Sequence, residues 1–384
     1  MLRLEDSSFA VTRQRTLDAA SRRGLRGLLE IQIDLYSRYK MPWMSRFPVG
    51  RAPQAAEETS GDTGRYLAFT TAYEGIGGQF SRYVTAKHLA RHLGLTYVHH
   101  PFLRIFHAPH LDWEEFLGLG RGQVLLPHLL QRPGLEVVEL PFIDTRFHTE
   151  LQFTLLEHII RHTHKGDGKL FLLTPWSFAP PPDGSPFQRH VFEEFASLYW
   201  QARSLNPMPS PFRQGAVSVA VIVRRGELRG MKAARGRIRR MALRRWVDND
   251  WYVRVLERLA LVLGGALDIR VFSDADHPDE LGELSRLRNV TLHLKGESPH
   301  QPFQAFHAMT VADVLVCGLT GFCWPAGSLT KGIKIIPPRT HEIYFPHGPT
   351  WHEADTRGRF DPTVLATVPT EADQRALLVE SVDA

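Results

Sequence analysis

From Tyr66 onward, short unbroken apolar runs alternate with longer stretches whose apolar residues recur every three or four positions. The runs Tyr66–Thr71 (YLAFTT), Leu95–His99 (LTYVH), Glu136–Leu140 and Leu170–Thr174 predict strands. The stretches Phe80–His92, Glu114–Leu117, Thr149–His162 and Arg189–Arg203 predict helices. A second series begins at Val217–Val223 (VSVAVIV), apolar at all but one position, as a strand covered on both faces must be. It continues as helix Asp248–Leu263, with Asp248 or Asn249 as N-cap, then strand Leu267–Phe272, helix Glu280–Leu287 and strand Val290–Leu294. Helix Pro302–Met309, strand Val314–Cys317, helix Phe322–Leu329 and strand Ile333–Ile336 complete it. Strand–helix alternation of this kind builds parallel sheets with helices on their faces. Two such α/β domains with a cleft between them are expected, and ligands of such sheets bind beyond the carboxyl ends of the strands.

The expected boundaries are an N-terminal arm over 1–60, with an amphipathic helix in 16–39, a first domain over 61–212, a second over 213–345 and an extension over 346–384. A length of 384 residues fits two domains. A hydrophobic share of 43% against 23% charged excludes a chain disordered over most of its length. No run of about 18 apolar residues is present. The first residues, MLRLEDSSFAVTRQR, carry charges where a signal peptide needs an apolar stretch, so secretion by that route is not expected. With only two cysteines, Cys317 and Cys323, a disulfide framework is excluded and a cytoplasmic setting is expected. The net charge of +5 is unevenly spread. Arg224 to Arg245 holds ten Lys or Arg against one acid, Glu227, which leaves the rest of the chain net acidic. One basic block on an acidic protein points to a local anion site or docking surface, not to a nucleic-acid binder.

Three elements carry candidate chemistry. The loop Gly75-Ile76-Gly77-Gly78-Gln79 lies between a strand and a helix, where glycines let backbone amides approach an anion. It lacks the Lys-Ser/Thr ending of a P-loop, and a plain tight turn explains it equally well. Arg224-Arg225-Gly226-Glu227 follows the most apolar strand, so two planar guanidinium groups emerge at a carboxyl end, a geometry suited to a diphosphate. Gly318-Leu319-Thr320-Gly321-Phe322 closes another strand and enters a helix. A phosphate or nucleoside, or an ordinary cap by Thr320, fits that turn. His158 and His162 are i, i+4 on a predicted helix but lack the adjacent glutamate of a zinc motif, so no metal site is expected.

In order along the chain, these residues resemble the superfamily of α1,2-, α1,6- and protein O-fucosyltransferases. Val219–Glu227 (VAVIVRRGE) is similar to its V-x-V-H-x-R-R-G-D signature, and GIGGQF to its N-terminal G-x-G-N-Q loop. Val271–Asp274 (VFSD) and the run ADVLVCGLTGFCWPA from Ala312 resemble two further motifs. The resemblance covers about residues 66–340. It implies a GT-B fold of two Rossmann-like parallel-sheet domains facing a cleft, and metal-independent inverting transfer from a nucleotide-sugar donor, by default GDP-fucose. By position it assigns donor binding to Gly75, Gly77, Gly78, Gln79, Arg224, Arg225, Glu227, Ser273, Asp274, Asp313, Thr320, Gly321 and Phe322. Ile222 stands where the family has histidine, Gly78 where it has asparagine, Glu227 where it has aspartate, and Gly321 at a hydroxyl position.

Such a reaction needs cations on the leaving diphosphate and a base for the acceptor hydroxyl. Arg225 or Arg224 serves the first need, and Glu74 or His99 is the candidate for the second. The expected acceptor is a glycan or lipid-linked glycan. No cofactor beyond the co-substrate is implied. The basic block 229–246, with Ile238, Met241, Leu243 and Trp246 among its arginines, is a candidate for peripheral contact with the inner face of a membrane; a solvated helix with its apolar side on the core is the competing reading. A catalytically inactive nucleotide- or glycan-binding protein of the same fold is the alternative function.

Overall fold

The computed structural model describes residues 64–69, 75–102, 105, 108, 110–140, 156–163, 166–173, 186–264, 266–338 and 349–368. The predicted helix in 16–39, Glu74 and much of the predicted helix 149–162 lie outside the described residues. The chain is α/β with two all-parallel sheets. It divides into two compact units, one holding 1–72, 81–103 and 120–191, the other 73–80, 104–119 and 192–384.

The first unit carries strands β1 (Arg65–Phe69), β2 (Thr96–His99), β3 (Val124–Leu125), β4 (Glu136–Glu139) and β5 (Lys169–Leu173), in the spatial order β3-β2-β1-β5-β4. Leu67, Ala68 and Phe69 on β1 are fully buried, as a central strand requires, whereas β4 lies at an edge with Val137 exposed. Helix α1 (Ile76–Leu93) precedes β2 and ends at Gly94, whose φ of 65° lies in the left-handed region that favours glycine. Helices α2 (Trp113–Leu117) and α3 (Leu126–Leu129) are short, and α4 (Pro186–Leu205) leads to the second sheet.

The second sheet holds β6 (Val217–Val223), followed by helices α5 (Gly226–Ala233), α6 (Gly236–Arg245) and α7 (Asn249–Leu263), and then β7 (Leu267–Ser273). A 3₁₀ segment (Pro278–Arg286), β8 (Val290–His293), α8 (Gln301–Val311), β9 (Val314–Val316), α9 (Cys323–Leu329), β10 (Ile333–Ile336) and β11 (Trp351–Glu353) follow. The order β8-β7-β6-β9-β10-β11 is the doubly wound 3-2-1-4-5-6 arrangement, with its reversal point between β6 and β9. All seven residues of β6 are buried. Trp251, Tyr252, Val255, Leu256 and Leu259 of α7 are buried. β11 comes after residue 345, where an extension is expected, and pairs in parallel with β10. The segment behind it is clasped by α7: Trp251 Nε1, Arg254 Nε and Arg258 Nε donate to the carbonyls of Asp355, Arg357 and Phe360 at 2.9, 3.1 and 3.1 Å.

Residues 112–118 precede this sheet by a hundred positions, yet belong to its unit. Asp112 caps α2 by accepting from Glu115 N at 2.9 Å, and Gly118 closes it at φ 72°. Trp113 then meets Phe303 edge-on at 4.9 Å, and Phe116 stacks on Phe303 at 4.0 Å with Arg203 over its face at 4.5 Å. Aromatic pairs of this geometry add about 0.5–1.5 kcal/mol each beyond burial.

Candidate functional site

The reversal point of a doubly wound sheet is where the two neighbouring loops leave in opposite directions, which opens a crevice at the carboxyl edge. In the second sheet the residues at that edge are Arg224–Glu227 after β6, Asp274 after β7 and Cys317–Phe322 after β9.

Asp274 occupies the spot an anion would take at the start of α5. Its Oδ1 accepts from Arg225 N and, at 3.0 Å, from Gly226 N. The close approach requires glycine, since a Cβ on Gly226 would lie 2.5 Å from the Asp274 carbonyl oxygen. The carboxylate satisfies free amides and complements the helix dipole. Ser273 Oγ accepts from Ala275 N at 3.1 Å and is likewise engaged locally.

The two guanidinium groups differ sharply. Arg224 pairs with Glu227 three residues on. Arg225, expected to point from the carboxyl end of its strand into the cleft, is 1% exposed. It donates to Arg224 O at 2.7 Å, Val247 O at 2.8 Å and Asn249 Oδ1, and its charge lies 4.3 Å from the Trp246 ring centre. Burial pulls its pKa below the ordinary value, against the fields of Tyr252, Asp248, Asp274 and Glu280, which raise it. All its acceptors are neutral oxygens. Among the described residues no carboxylate forms an ion pair with it, and its Nε has no partner. The N-cap expected of Asp248 is also redirected: Asp248 sits at that position, but its carboxylate accepts from Trp246 Nε1 at 2.9 Å. Asn249 is drawn to Arg225 and donates to Glu280 O at 3.0 Å.

Beside Arg225 lies a cavity of about 430 Å³, lined by Arg225, Arg229, Trp246, His277, Asp279 and Glu280. Arg229 is largely exposed and reaches Glu280 Oε2 at 3.3 Å. Glu280 Oε1 accepts from Asp276 N and His277 N at 3.2 and 3.3 Å, so the 3₁₀ segment holds this carboxylate on the wall. Asp279 is exposed. One wall is thus cationic, with an indole between Arg225 and Lys232, whose Nζ is 3.7 Å from the ring centre. Asp279 and Glu280 add acidic groups to the same lining. A phosphorylated ligand that also presents N–H or O–H donors matches that lining. The motifs left His277, Asp279 and Glu280 unassigned; their signal was the turn-rich acidic run DADHPDE after a strand.

The two glycine motifs meet directly. Gly77 and Gly78 form the first turn of α1, which starts at Ile76 and not at Phe80, because Gly78 N and Gln79 N donate to Gly75 O at 3.1 and 3.3 Å. A Cβ on Gly77 would lie 2.1 Å from the Gly321 carbonyl oxygen, so the glycines serve backbone-to-backbone packing at this point. Gly318 is held as tightly, 2.7 Å from Ile222 O and from the Tyr252 hydroxyl by the same measure. Thr320 accepts from Phe322 N at 3.3 Å in a local turn, and the Phe322 ring stands against Trp113 and Phe306. Gln79 is buried.

Two sequence candidates fall elsewhere. Asp313 stands at the amino edge of the sheet, where its Oδ2 accepts from Ser218 N at 2.8 Å and Ser218 Oγ at 2.7 Å. Its own N–H donates to Ser218 Oγ at 2.9 Å. His99 belongs to the first unit, fully buried among Phe69, Tyr83 and Phe102, with Nδ1 3.1 Å from the Tyr97 hydroxyl.

No family model and no curated protein matches the chain. Among solved structures, one of POFUT1 in complex with GDP-fucose is 14% identical, with a TM-score of 0.43 over 77% of this chain and 99% of that one. One of POFUT1 in complex with GDP is also 14% identical, with a TM-score of 0.42 over 72% and 99%. The apo form gives 14% identity and a TM-score of 0.40 over 71% and 96%.

Proposed function

We propose that the protein is a glycosyltransferase, fucosyltransferase-like, whose second unit binds a nucleoside-diphosphate sugar, by default GDP-fucose, at the carboxyl edge of its sheet. The observation that carries this reading is the Arg225 guanidinium: buried, without an ion pair among the described residues, and at the lining of a cavity of about 430 Å³. A buried cation whose partners are all neutral is under-compensated, and an anionic ligand beside it supplies the missing charge. In this reading Arg229 releases Glu280 and joins Arg225 on the diphosphate. Asp279 or Glu280 then faces the donor N–H groups of a guanine or the hydroxyls of the sugar.

Transfer forms a bond from the acceptor oxygen to the anomeric carbon and breaks the bond to the diphosphate, whose charge the arginines stabilise. The acceptor proton passes to a carboxylate. Asp279 is the exposed one on the wall, and it replaces His99, which is buried, as the preferred base among the described residues. The acceptor is a glycan or lipid-linked glycan hydroxyl. The motif resemblance and the doubly wound order of the second sheet support the same class. Ile222, buried within β6 where the motif has histidine, favours the second reading, a nucleotide-binding protein without turnover.

A thermal-shift panel of GDP, UDP, ADP and TDP with their sugars tests both. A ligand at 100 times its Kd stabilises by about 2.7 kcal/mol. The expected result is a shift with one nucleotide, lost in Arg229→Ala, and hydrolysis or transfer of the matching sugar nucleotide. A shift without turnover establishes the second reading; no shift with any nucleotide overturns both.

A further inference from the structure

The basic block leaves Ile238 and Leu243 off the core. It forms two helices, α5 and α6, separated at Ala234–Arg235, with Gly236 at φ 66° opening the second. On α6 the one side chain described as buried is Ala242. Ile238 is 51% exposed and Leu243 46%. At 100° per residue, Leu243 lies between Arg239 and Arg240 on the helix surface, whereas Ile238 lies beside the buried Ala242. Arg229, Arg235, Arg239, Arg240 and Arg244 are exposed as well. Arg239 and Arg240 have no ion pair among the described residues, and the lone acid of the two helices, Glu227, is taken by Arg224. The result is a cationic face on α6 with Leu243 set between Arg239 and Arg240, two arginines that no carboxylate pairs among the described residues.

We propose that this face docks on an anionic lipid bilayer, with Leu243 entering the headgroup boundary and Arg239 and Arg240 on lipid phosphates and carboxylates. Long arginine stems suit that boundary, since they cover apolar surface while the charged head stays in water. The same charges alone would also serve a nucleic acid, but sequence-tolerant nucleic-acid binding uses aromatic platforms for the bases. This face offers none: the nearby Trp246 ring is already flanked by Arg225 at 4.3 Å and Lys232 at 3.7 Å. Among the described residues no helix is long and apolar enough to cross a membrane, so the contact is peripheral at this site. The inference is independent of the proposed reaction.

The test is co-sedimentation of the full chain with phosphatidylcholine vesicles, with and without about one-third phosphatidylserine. Binding is expected only with phosphatidylserine, and it weakens as salt rises. The double variant Arg239→Glu/Arg240→Glu is expected to bind at least about ten-fold more weakly. Leu243→Ser is expected to weaken binding at every salt concentration without changing the slope against salt. Both changes are at exposed positions outside the cavity, so the thermal shift with nucleotide stays as it is in the parent. Failure to bind phosphatidylserine vesicles overturns the proposal, as does equal binding by the parent and the double variant. Retention by a generic RNA oligonucleotide but not by vesicles overturns it in favour of a nucleic-acid partner.

Discussion

The two edges of the second sheet each carry an aspartate from a recognisable motif, and they use it differently. At the amino edge Asp313 is consumed by Ser218, which meets it through a backbone amide and a hydroxyl and returns a bond to its N–H. This ties β9 to β6 where the strands start. At the carboxyl edge Asp274 caps the turn after β6 by accepting from the Arg225 and Gly226 amides, and it leaves the Arg225 guanidinium buried beside a cavity with no ion pair among the described residues. Along β6 the edges are roughly 20 Å apart, at about 3.3 Å per residue. One carboxylate closes its surroundings, while the other orders a turn so that a neighbouring cation stays available. A motif position thus reports which residues a fold needs, and the edge on which it falls separates support from recognition.

The strongest way to break this contrast is at the glycines that bring the edge together. Gly77→Ala places a methyl 2.1 Å from the Gly321 carbonyl oxygen, and neither backbone can yield cheaply. A loss of about 3 kcal/mol in urea denaturation is expected; an unchanged midpoint means that the two turns do not pack as described. Next come the aspartates. Asp313→Ala removes an acceptor of two bonds and is expected to cost about 2 kcal/mol while sparing nucleotide binding. Asp274→Ala is expected to cost a similar amount and to abolish the nucleotide thermal shift, because Arg225 loses its place. If both variants bind nucleotide alike, the division of labour between the edges is wrong.

Arg225→Lys sharpens the contrast. The ammonium keeps a charge but cannot reach Arg224 O, Val247 O and Asn249 together, so weaker nucleotide binding with a smaller loss of stability is expected. The smallest effects are in pH. At the amino edge burial pulls Lys334 from 10.5 to about 8. Its Nζ donates to Thr330 O at 2.6 Å and Thr350 Oγ1 at 3.1 Å. Between those two values the unfolded chain holds a proton that the folded chain has released, so this group adds stability as pH rises from about 8 to 10.5. Lys334→Met is expected to flatten that rise. In the first unit burial, followed by the charge of His92, pulls His88 from 6.5 to about 4. Stability from this group is present above 6.5 and falls as pH drops toward 4, a loss that His88→Gln should reduce in acid titration.

The strands were legible because buried parallel strands must be nearly all apolar: VSVAVIV and Ile333–Ile336 appear with the bounds their composition indicates. Helices were legible to within a few residues wherever an apolar face repeats, as in α7 and α8. The two-helix form of the basic block was less clear, since α6 buries so little that no apolar stripe marks its orientation. The short strands β3 and β11 escaped because two- and three-residue segments carry no period. At the site, Arg225 was visible as a charge after a buried strand, but its inward turn was not.

Local composition alone therefore determined two parallel-sheet halves, the strand whose end carries the arginines, and the isolated block of positive charge, because burial and helical repeat act over a few residues at a time. Strand order, the meeting of Gly77 with Gly321, the separate duties of Asp274 and Asp313, and the cavity wall contributed by the 3₁₀ segment were decided by tertiary structure. Each of these depends on residues dozens to hundreds of positions apart, and which of them become neighbours is set by how the whole chain packs.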